Sequence, residues 1–293
     1  MEFSNFNNLL ELFYYKYKIQ KPNEVFLTSL QNRNNAYSWQ ETFECIQKLA
    51  EEIESRIQEK DRCLLISENR PEWLISDLAI MLSKGITVPA YTTYTEKDYD
   101  YLINDCKPSV IIISKQHLYD KVSSIIKKNE FIKLVISFEK LESGDENLLL
   151  INKIFKKKTY LKKDFKNSNL KRNDLACIIY TSGTQGNPKG VMLSHGGILN
   201  NCEGSYNLLK KSIPVKSKFL TWLPLSHSYE HTVQFVQITV GAKIFYAESI
   251  DKLIKNMQEC SPDIMTAVPR FYQNLYQKIF SNCSKTVGFK KFL

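Results

Sequence analysis

The sequence predicts an α/β protein of parallel sheets layered with helices. Three observations carry that expectation: apolar runs of strand length, amphipathic runs of helix length, and their alternation along most of the 293 residues. A chain of this length can bury a substantial core, as two domain-sized units or one large domain with subdomains. Its 43% hydrophobic content is that of a folded globular protein.

The elements follow in order. Ser38 and Glu41 form a capping box that opens an amphipathic helix reaching about Glu59. RCLLIS (62–67) reads as a strand. Pro71 opens the next helix, PEWLISDLAIMLSK, at a position where a missing N–H is harmless. Gly85 closes that helix, and ITVPAY follows as a strand. TEKDYDYLINDC reads as a helix, SVIIIS as a strand, the stretch to about Lys128 as a helix and KLVIS as a strand. Residues 140–173 are polar and Lys-rich, and form the expected connector between subdomains 1–139 and 174–293. LACIIY (175–180) reads as a buried strand, with a helix from Ser194 to about Lys211. FLTWLP, a helix to about Val240, AKIFYA, SIDKLIKNMQE, DIMTAV and PRFYQNLYQKIF complete the series.

YTSGTQGNPKG, Tyr180 to Gly190, is suited to hold a polyphosphate. Thr181, Ser182 and Thr184 supply three hydroxyls, and Gly183, Gly186 and Gly190 let backbone amides turn toward an anion. Lys189 adds a positive charge. The loop is expected between a strand and a helix. It is not a Walker A loop, because Gly186 is followed by Asn187 and Pro188 rather than Lys-Ser/Thr. Ser182 lies outside any GxSxG elbow, so a hydrolase is not indicated.

Read as one string, Tyr180 to His195 resembles the phosphate-loop signature YTSGTTGxPKGVxxSH of the acyl-adenylate-forming enzymes. Gln185 stands where that pattern has Thr, which removes one hydroxyl from the loop. ENRPEWLISDLAIMLSKGITVPAY (68–91), LPLSHSYEHT (223–232) and TAVPRFYQNLYQKI (266–279) resemble the long-chain fatty acid–CoA ligase branch.

The resemblance implies a two-step reaction. A carboxylate attacks the α-phosphorus of ATP, giving an acyl-adenylate and pyrophosphate; the coenzyme A thiol then takes the acyl group and AMP leaves. It implies ATP, Mg²⁺ and coenzyme A as cofactors and a fatty acid as substrate. Thr181, Ser182, Gly183, Thr184, Gln185, Gly186, Lys189 and Gly190 are the implied nucleotide-binding residues, with Thr184 at the metal. Tyr180 and Thr181 are expected to anchor the loop to its strand. His227, in LPLSH, is the implied catalytic residue at the junction of adenylate and acyl chain. His227, Glu230 and His231 share a helix, but HSYEH is not HExxH and no third ligand is evident, so a zinc site is not expected.

Family members carry, further along, a YGxTE-like segment, a TGD-like segment and a small C-terminal lid, and none of these follows Ile279. The expectation is therefore an incomplete N-terminal AMP-binding domain, without the lid, marginally stable and of little ligase activity alone. Two alternatives stand beside a long-chain ligase. One is a non-catalytic remnant or partner-binding half of a split enzyme, completed by a companion chain. The other is an adenylating enzyme for a different acid or acceptor.

Seven cysteines, an odd number without a CxxC pair, read as free thiols in a reducing compartment. The net charge is +9, and residues 153–172 hold nine basic side chains against Asp164 alone. That segment is expected to be a solvated connector, or a contact with a membrane surface. It carries no RNA-recognition signature and too few aromatics to stack bases, so nucleic acid is not expected as a partner. The N-terminus has no secretory pattern, and the expected location is cytoplasmic, with peripheral membrane contact as the variant.

Overall fold

The computed structural model describes residues 1–145, 147–158, 160, 162–165, 168–181, 188–214 and 216–284. The chain opens with α1 (Leu9–Ile19), the strand pair β1 (Val25–Ser29) and β2 (Ala36–Ser38), and α2 (Trp39–Glu54). Both arms of the Ser38–Glu41 capping box form: Ser38 Oγ accepts from Glu41 N at 3.2 Å, and Ser38 N donates to Glu41 Oε2 at 2.7 Å. The helix stops at Glu54, five residues short of the expected end.

The series continues with β3 (Arg62–Ile66), α3 (Pro71–Leu82), β4 (Ile86–Ala90), α4 (Glu96–Cys106), β5 (Val110–Ile113), α5 (Gln116–Lys128) and β6 (Leu134–Ser137). The Lys-rich stretch contributes β7 (Leu148–Leu150) and α6 (Ile151–Phe155). Then come β8 (Leu175–Thr181), β9 (Lys189–Ser194), α7 (His195–Leu209), β10 (Lys218–Thr221), α8 (Ser228–Val240), β11 (Lys243–Tyr246), α9 (Leu253–Cys260), β12 (Ile264–Met265) and α10 (Pro269–Ser284).

Two sheets result. One has the order β7-β6-β5-β3-β4-β8-β9, parallel except for β9; the other has the order β12-β10-β11-β1-β2, parallel except for β2. β1 pairs with β11 and β4 with β8, so residues on both sides of 140–173 contribute to each sheet. Side chains alternate across the larger sheet. Cys63, Leu65, Val110 and Ile112 enter the main core between the sheets, while Leu64, Ile66, Ile111 and Ile113 face α4 and α5. α3 is buried along its whole length and touches β1 of one sheet and β3 and β4 of the other. On the far face of the smaller sheet, Leu30, Leu220, Leu253 and Cys260 gather Trp222 and Phe271 into a separate cluster under α9 and α10.

Gly85 closes α3 as expected, its N donating to Ile80 O at 2.9 Å after Lys84 takes the left-handed conformation at φ 62°. A Cβ there would sit 3.1 Å from both Ile57 Cδ1 and Ile80 Cγ2.

Candidate functional site

The phosphate-type segment spans a β-hairpin. β8 and β9 are antiparallel, with Thr181 opposite Lys189 and Tyr180 opposite Gly190. The expected strand-to-helix setting is thus corrected: a six-residue strand separates the loop from α7, whose N-cap Ser194 accepts from Gly197 N at 3.1 Å. VMLSH reads as a strand in hindsight, because it pairs with the β-branched Ile178 and Ile179. Ser182, Gly183, Thr184, Gln185 and Gly186 lie outside the described residues. Thr181 and Lys189 stand at the two ends of the hairpin, Lys189 exposed.

Gly190 has a different physical reason from the one its motif suggests. A Cβ at this position would lie 2.7 Å from Ile178 Cγ2 and 3.4 Å from Tyr180 Cζ, so the cross-strand neighbours exclude a side chain.

Helix α4 holds both ends of the hairpin loop. The Tyr101 hydroxyl donates to Pro188 O at 3.1 Å, and one turn later Asp105 accepts from the Tyr180 hydroxyl. Burial and the adjacent Asp105 carboxylate push the Tyr180 phenol well above its ordinary pKa, so it remains a donor. Neither Tyr101 nor Asp105 belongs to a recognisable motif. Their i, i+4 spacing on TEKDYDYLINDC was the available signal.

A crevice of about 340 Å³ opens where strands of both sheets end. Ser67, Asn69 and Thr92 line it from the larger sheet; Ser29, Trp222 and Ser226 line it from the smaller one. Such placement, outside the carboxyl ends of parallel strands, is where α/β sheets bind ligands. Asn69 sets the geometry. Its Nδ2 donates to Leu223 O at 2.6 Å and its Oδ1 accepts from Leu225 N at 3.0 Å, so ENRPEW clamps LPLSH. Glu68, also on the wall, meets Ser114 Oγ at 2.5 Å and Lys115 Nζ at 2.8 Å. Burial alone would raise its pKa, but these hydrogen bonds outweigh it and hold the carboxyl below its ordinary range.

His227 is exposed at the N-terminus of α8, and its Nδ1 accepts from Tyr229 N at 3.2 Å. The side chain thus caps the helix beside crevice residues Pro224 and Ser226. His231 points elsewhere: it is fully buried, with Nε2 2.8 Å from Asp77 Oδ2 on α3. Burial works against its charged form, but Asp77 prevails and raises its pKa well above the ordinary value. Between them Glu230 is buried, and loss of solvent pushes its carboxyl up to about 7 against a 2.7 Å hydrogen bond from Thr266 Oγ1. Among the described residues no group of three His, Cys, Asp or Glu side chains could hold a metal ion. Cys45, Cys63, Cys106, Cys177, Cys202 and Cys260 are buried and free.

A family model described as AMP-binding enzyme matches residues 17–289. Long chain acyl-CoA synthetase 4 of Arabidopsis thaliana is 28% identical over 87% of this chain and 40% of its own length. Fatty acyl-CoA synthetase A of Dictyostelium discoideum is 29% identical over 82% of this chain and 37% of its own. The chain therefore spans about 40% of the length of the curated relatives it matches. Among solved structures, the anthranilate CoA ligase AuaEII superposes with a TM-score of 0.80 at 18% identity, covering 93% of this chain and 52% of that one. A red-emitting luciferase from Phrixothrix hirtus gives 0.77 at 21%, over 90% and 51%. These two likenesses establish the fold: the two-sheet architecture corresponds to about half of each neighbour. With the phosphate-loop signature from Tyr180 to His195, departing at Gln185, and the match running over 17–289, the chain belongs to the AMP-binding enzyme family.

Proposed function

We propose that this chain is the front part of a long-chain fatty acid–CoA ligase and contributes the phosphate-gripping and acyl-side walls of its site. The observation that carries the reading is the identity of its relatives, long-chain acyl-CoA synthetases matched over most of this chain. Support comes from two clamps: α4 on the loop hairpin and Asn69 on the LPLSH turn.

In this reading the hairpin restrains the β and γ phosphates while the fatty carboxylate displaces pyrophosphate from the α-phosphorus. Lys189, exposed at the hairpin end, balances charge on the departing pyrophosphate. Ser182, Thr184 and Gly186 would complete that cradle, and Thr181 would anchor it. Hard hydroxyl oxygens such as that of Thr184 suit Mg²⁺, which would neutralise the leaving group. His227 would sit where adenylate meets acyl chain, its ring oriented by the cap to Tyr229 N. Coenzyme A would then accept the acyl group through its thiol.

The adenine-holding and lid segments of the family fall in the part of the relatives this chain does not span, so activity requires them from the same polypeptide or a companion chain. α10 leaves Tyr272, Tyr276 and Phe280 more than half exposed at successive turns, a face suited to such a segment. A peripheral membrane contact belongs to this reading, since its substrate partitions into bilayers and residues 153–172 are basic.

The test is palmitate-dependent ATP–pyrophosphate exchange by the native assembly purified from its source cells. Exchange should be present and should fall on the order of 10²-fold in Lys189→Ala. Near-normal exchange by that variant removes the loop's assigned role. No exchange by the native assembly favours the second reading, a non-catalytic remnant.

A further inference from the structure

Helix α1 carries apolar side chains on its outward face as well as its inward one. Its inward stripe is Leu9, Leu10, Leu12 and Phe13, all buried. The outward stripe runs Glu11, Tyr14, Tyr15, Lys18, Ile19, the i, i+3, i+4, i+7, i+8 positions that a solvated helix fills with charge. Three of those five are instead aromatic or aliphatic. Tyr15 is 41% exposed and Ile19 58% exposed. With Asn5 and Phe6 the stripe lines an open groove of about 580 Å³.

The lysine-rich stretch lies against this groove. Phe165 stacks on Tyr14 at 5.8 Å, Ser168 Oγ accepts from Asn8 Nδ2 at 3.3 Å, and Arg172 Nη1 donates to Phe6 O at 2.7 Å. Lys162 and Lys171 in the same stretch are exposed, as are Lys153, Lys156 and Lys158 upstream. None of these five makes an ion pair among the described residues. Glu11, the acid in the groove, is turned to its own helix start, where Asn7 N donates to Oε2 at 2.7 Å.

We propose that the outward face of α1, with the basic segment beside it, docks this protein on a phospholipid bilayer that carries anionic headgroups. Tyrosine rings settle at the headgroup level, an aliphatic side chain inserts below it, and flanking ammonium groups meet the headgroups. Lys157 and Lys163 are taken up by Glu52 and Glu54, and Arg172 by Phe3, Phe6 and Asn200; a protein partner would have to match the five exposed lysines one by one, whereas an anionic bilayer offers that charge without a fixed pattern. The surface refines the membrane contact of the reading above. It does not depend on the ligase chemistry.

The experiment is co-sedimentation of the full chain with two vesicle types, phosphatidylcholine alone and phosphatidylcholine mixed with phosphatidylserine at roughly 3:1. Binding should be about tenfold or more tighter to the mixed vesicles and should weaken as salt rises. Tyr15→Ser/Ile19→Ser also removes the Tyr15 ring from Phe6, so it is compared with the parent at a temperature where circular dichroism shows both fully folded, and its binding should fall about tenfold. A separate Lys162→Glu/Lys171→Glu variant should lose the preference for phosphatidylserine. No binding, equal binding to both vesicles, or undiminished binding by the first variant overturns the proposal. So does a concentration-dependent dimer that the first variant abolishes without any vesicle binding, which would give the face to a second copy. An inactive ligase leaves the vesicle result unchanged, so the two readings fail separately.

Discussion

The Tyr101 hydroxyl reaches across from α4 to the carbonyl of Pro188, 3.1 Å away, and so fixes the far end of the phosphate-type loop to a helix 87 positions earlier in the chain. The near end is held by Asp105, one turn on, through the hydroxyl of Tyr180. Replacing Tyr101 by Phe removes the hydrogen bond and keeps the ring. The expected cost is about 1 kcal/mol of stability, read from urea titration. In the completed enzyme, pyrophosphate exchange should fall further than that stability loss explains, because the loop loses one of its two moorings. Unchanged stability together with unchanged exchange would show that Tyr101 holds nothing.

Asn69 is the corresponding device for the crevice. Its amide makes both hydrogen bonds to the Leu223–Leu225 turn, one donated and one accepted, so no residue lacking an amide reproduces it. Asn69→Leu should destabilise the fold by about 1–3 kcal/mol, since Leu223 O and Leu225 N lose their side-chain partner. Asn69→Asp should recover the half in which the side chain accepts. Equal losses for the two variants in thermal unfolding would remove the clamp from the argument.

Gly190→Ala tests why the glycine is there. Its Cβ would meet Ile178 Cγ2 at 2.7 Å, and the expected penalty is about 1–3 kcal/mol. Gly144→Ala, where nothing lies within 4 Å, serves as the reference and should be close to neutral. If Gly190→Ala, like the reference, leaves the unfolding midpoint in place, the cross-strand packing is not the constraint.

These relationships mark the limit of what the residues alone disclosed. Local chemistry was legible: the Ser38–Glu41 box, Pro71 at a helix start and the apolar run of RCLLIS each act within a few positions. β1 and β2 were not, because β2 has only three residues and β1 is set by pairing with β11 more than two hundred positions away. The motif residues were legible as a string, whereas Tyr101, Asp105 and Asn69 are ordinary polar residues until the fold sets them against Pro188, Tyr180 and Leu223. His227 was legible by its motif, but its capping bond depends on where α8 begins.

Asp77 and His231 form a fully buried pair between α3 and α8. Removing one partner leaves an uncompensated polar group, so Asp77→Leu or His231→Leu alone should cost about 3–5 kcal/mol. Asp77→Leu/His231→Leu, which removes both, should cost less than either single change. Because the His231 pKa is raised, the pair's stabilisation is complete below about 6.5 and is lost as pH climbs through the raised value. Strict additivity of the two single variants in a double-mutant cycle would deny the coupling.

Glu230 runs on the opposite half of the pH scale. Its carboxyl titrates near 4.5 when unfolded and at about 7 in the fold, because burial disfavours the charged form more than the Thr266 hydrogen bond favours it. The folded state therefore holds the proton more tightly. Stability attached to this group is full below about pH 4.5, declines through 7, and reaches a deficit of about 3 kcal/mol above it. Glu230→Gln keeps an acceptor for Thr266 Oγ1 and cannot ionise. Unfolding midpoints measured from about pH 5 to about pH 8 should fall for the parent and fall less for the variant, the two curves separating above neutrality. Parallel curves would mean that Glu230 is already charged in the fold and paired with something other than Thr266. The same proton lies one helical turn from His227, so the completed enzyme's exchange rate should change with pH near 7 in the parent, and that change should be absent in Glu230→Gln.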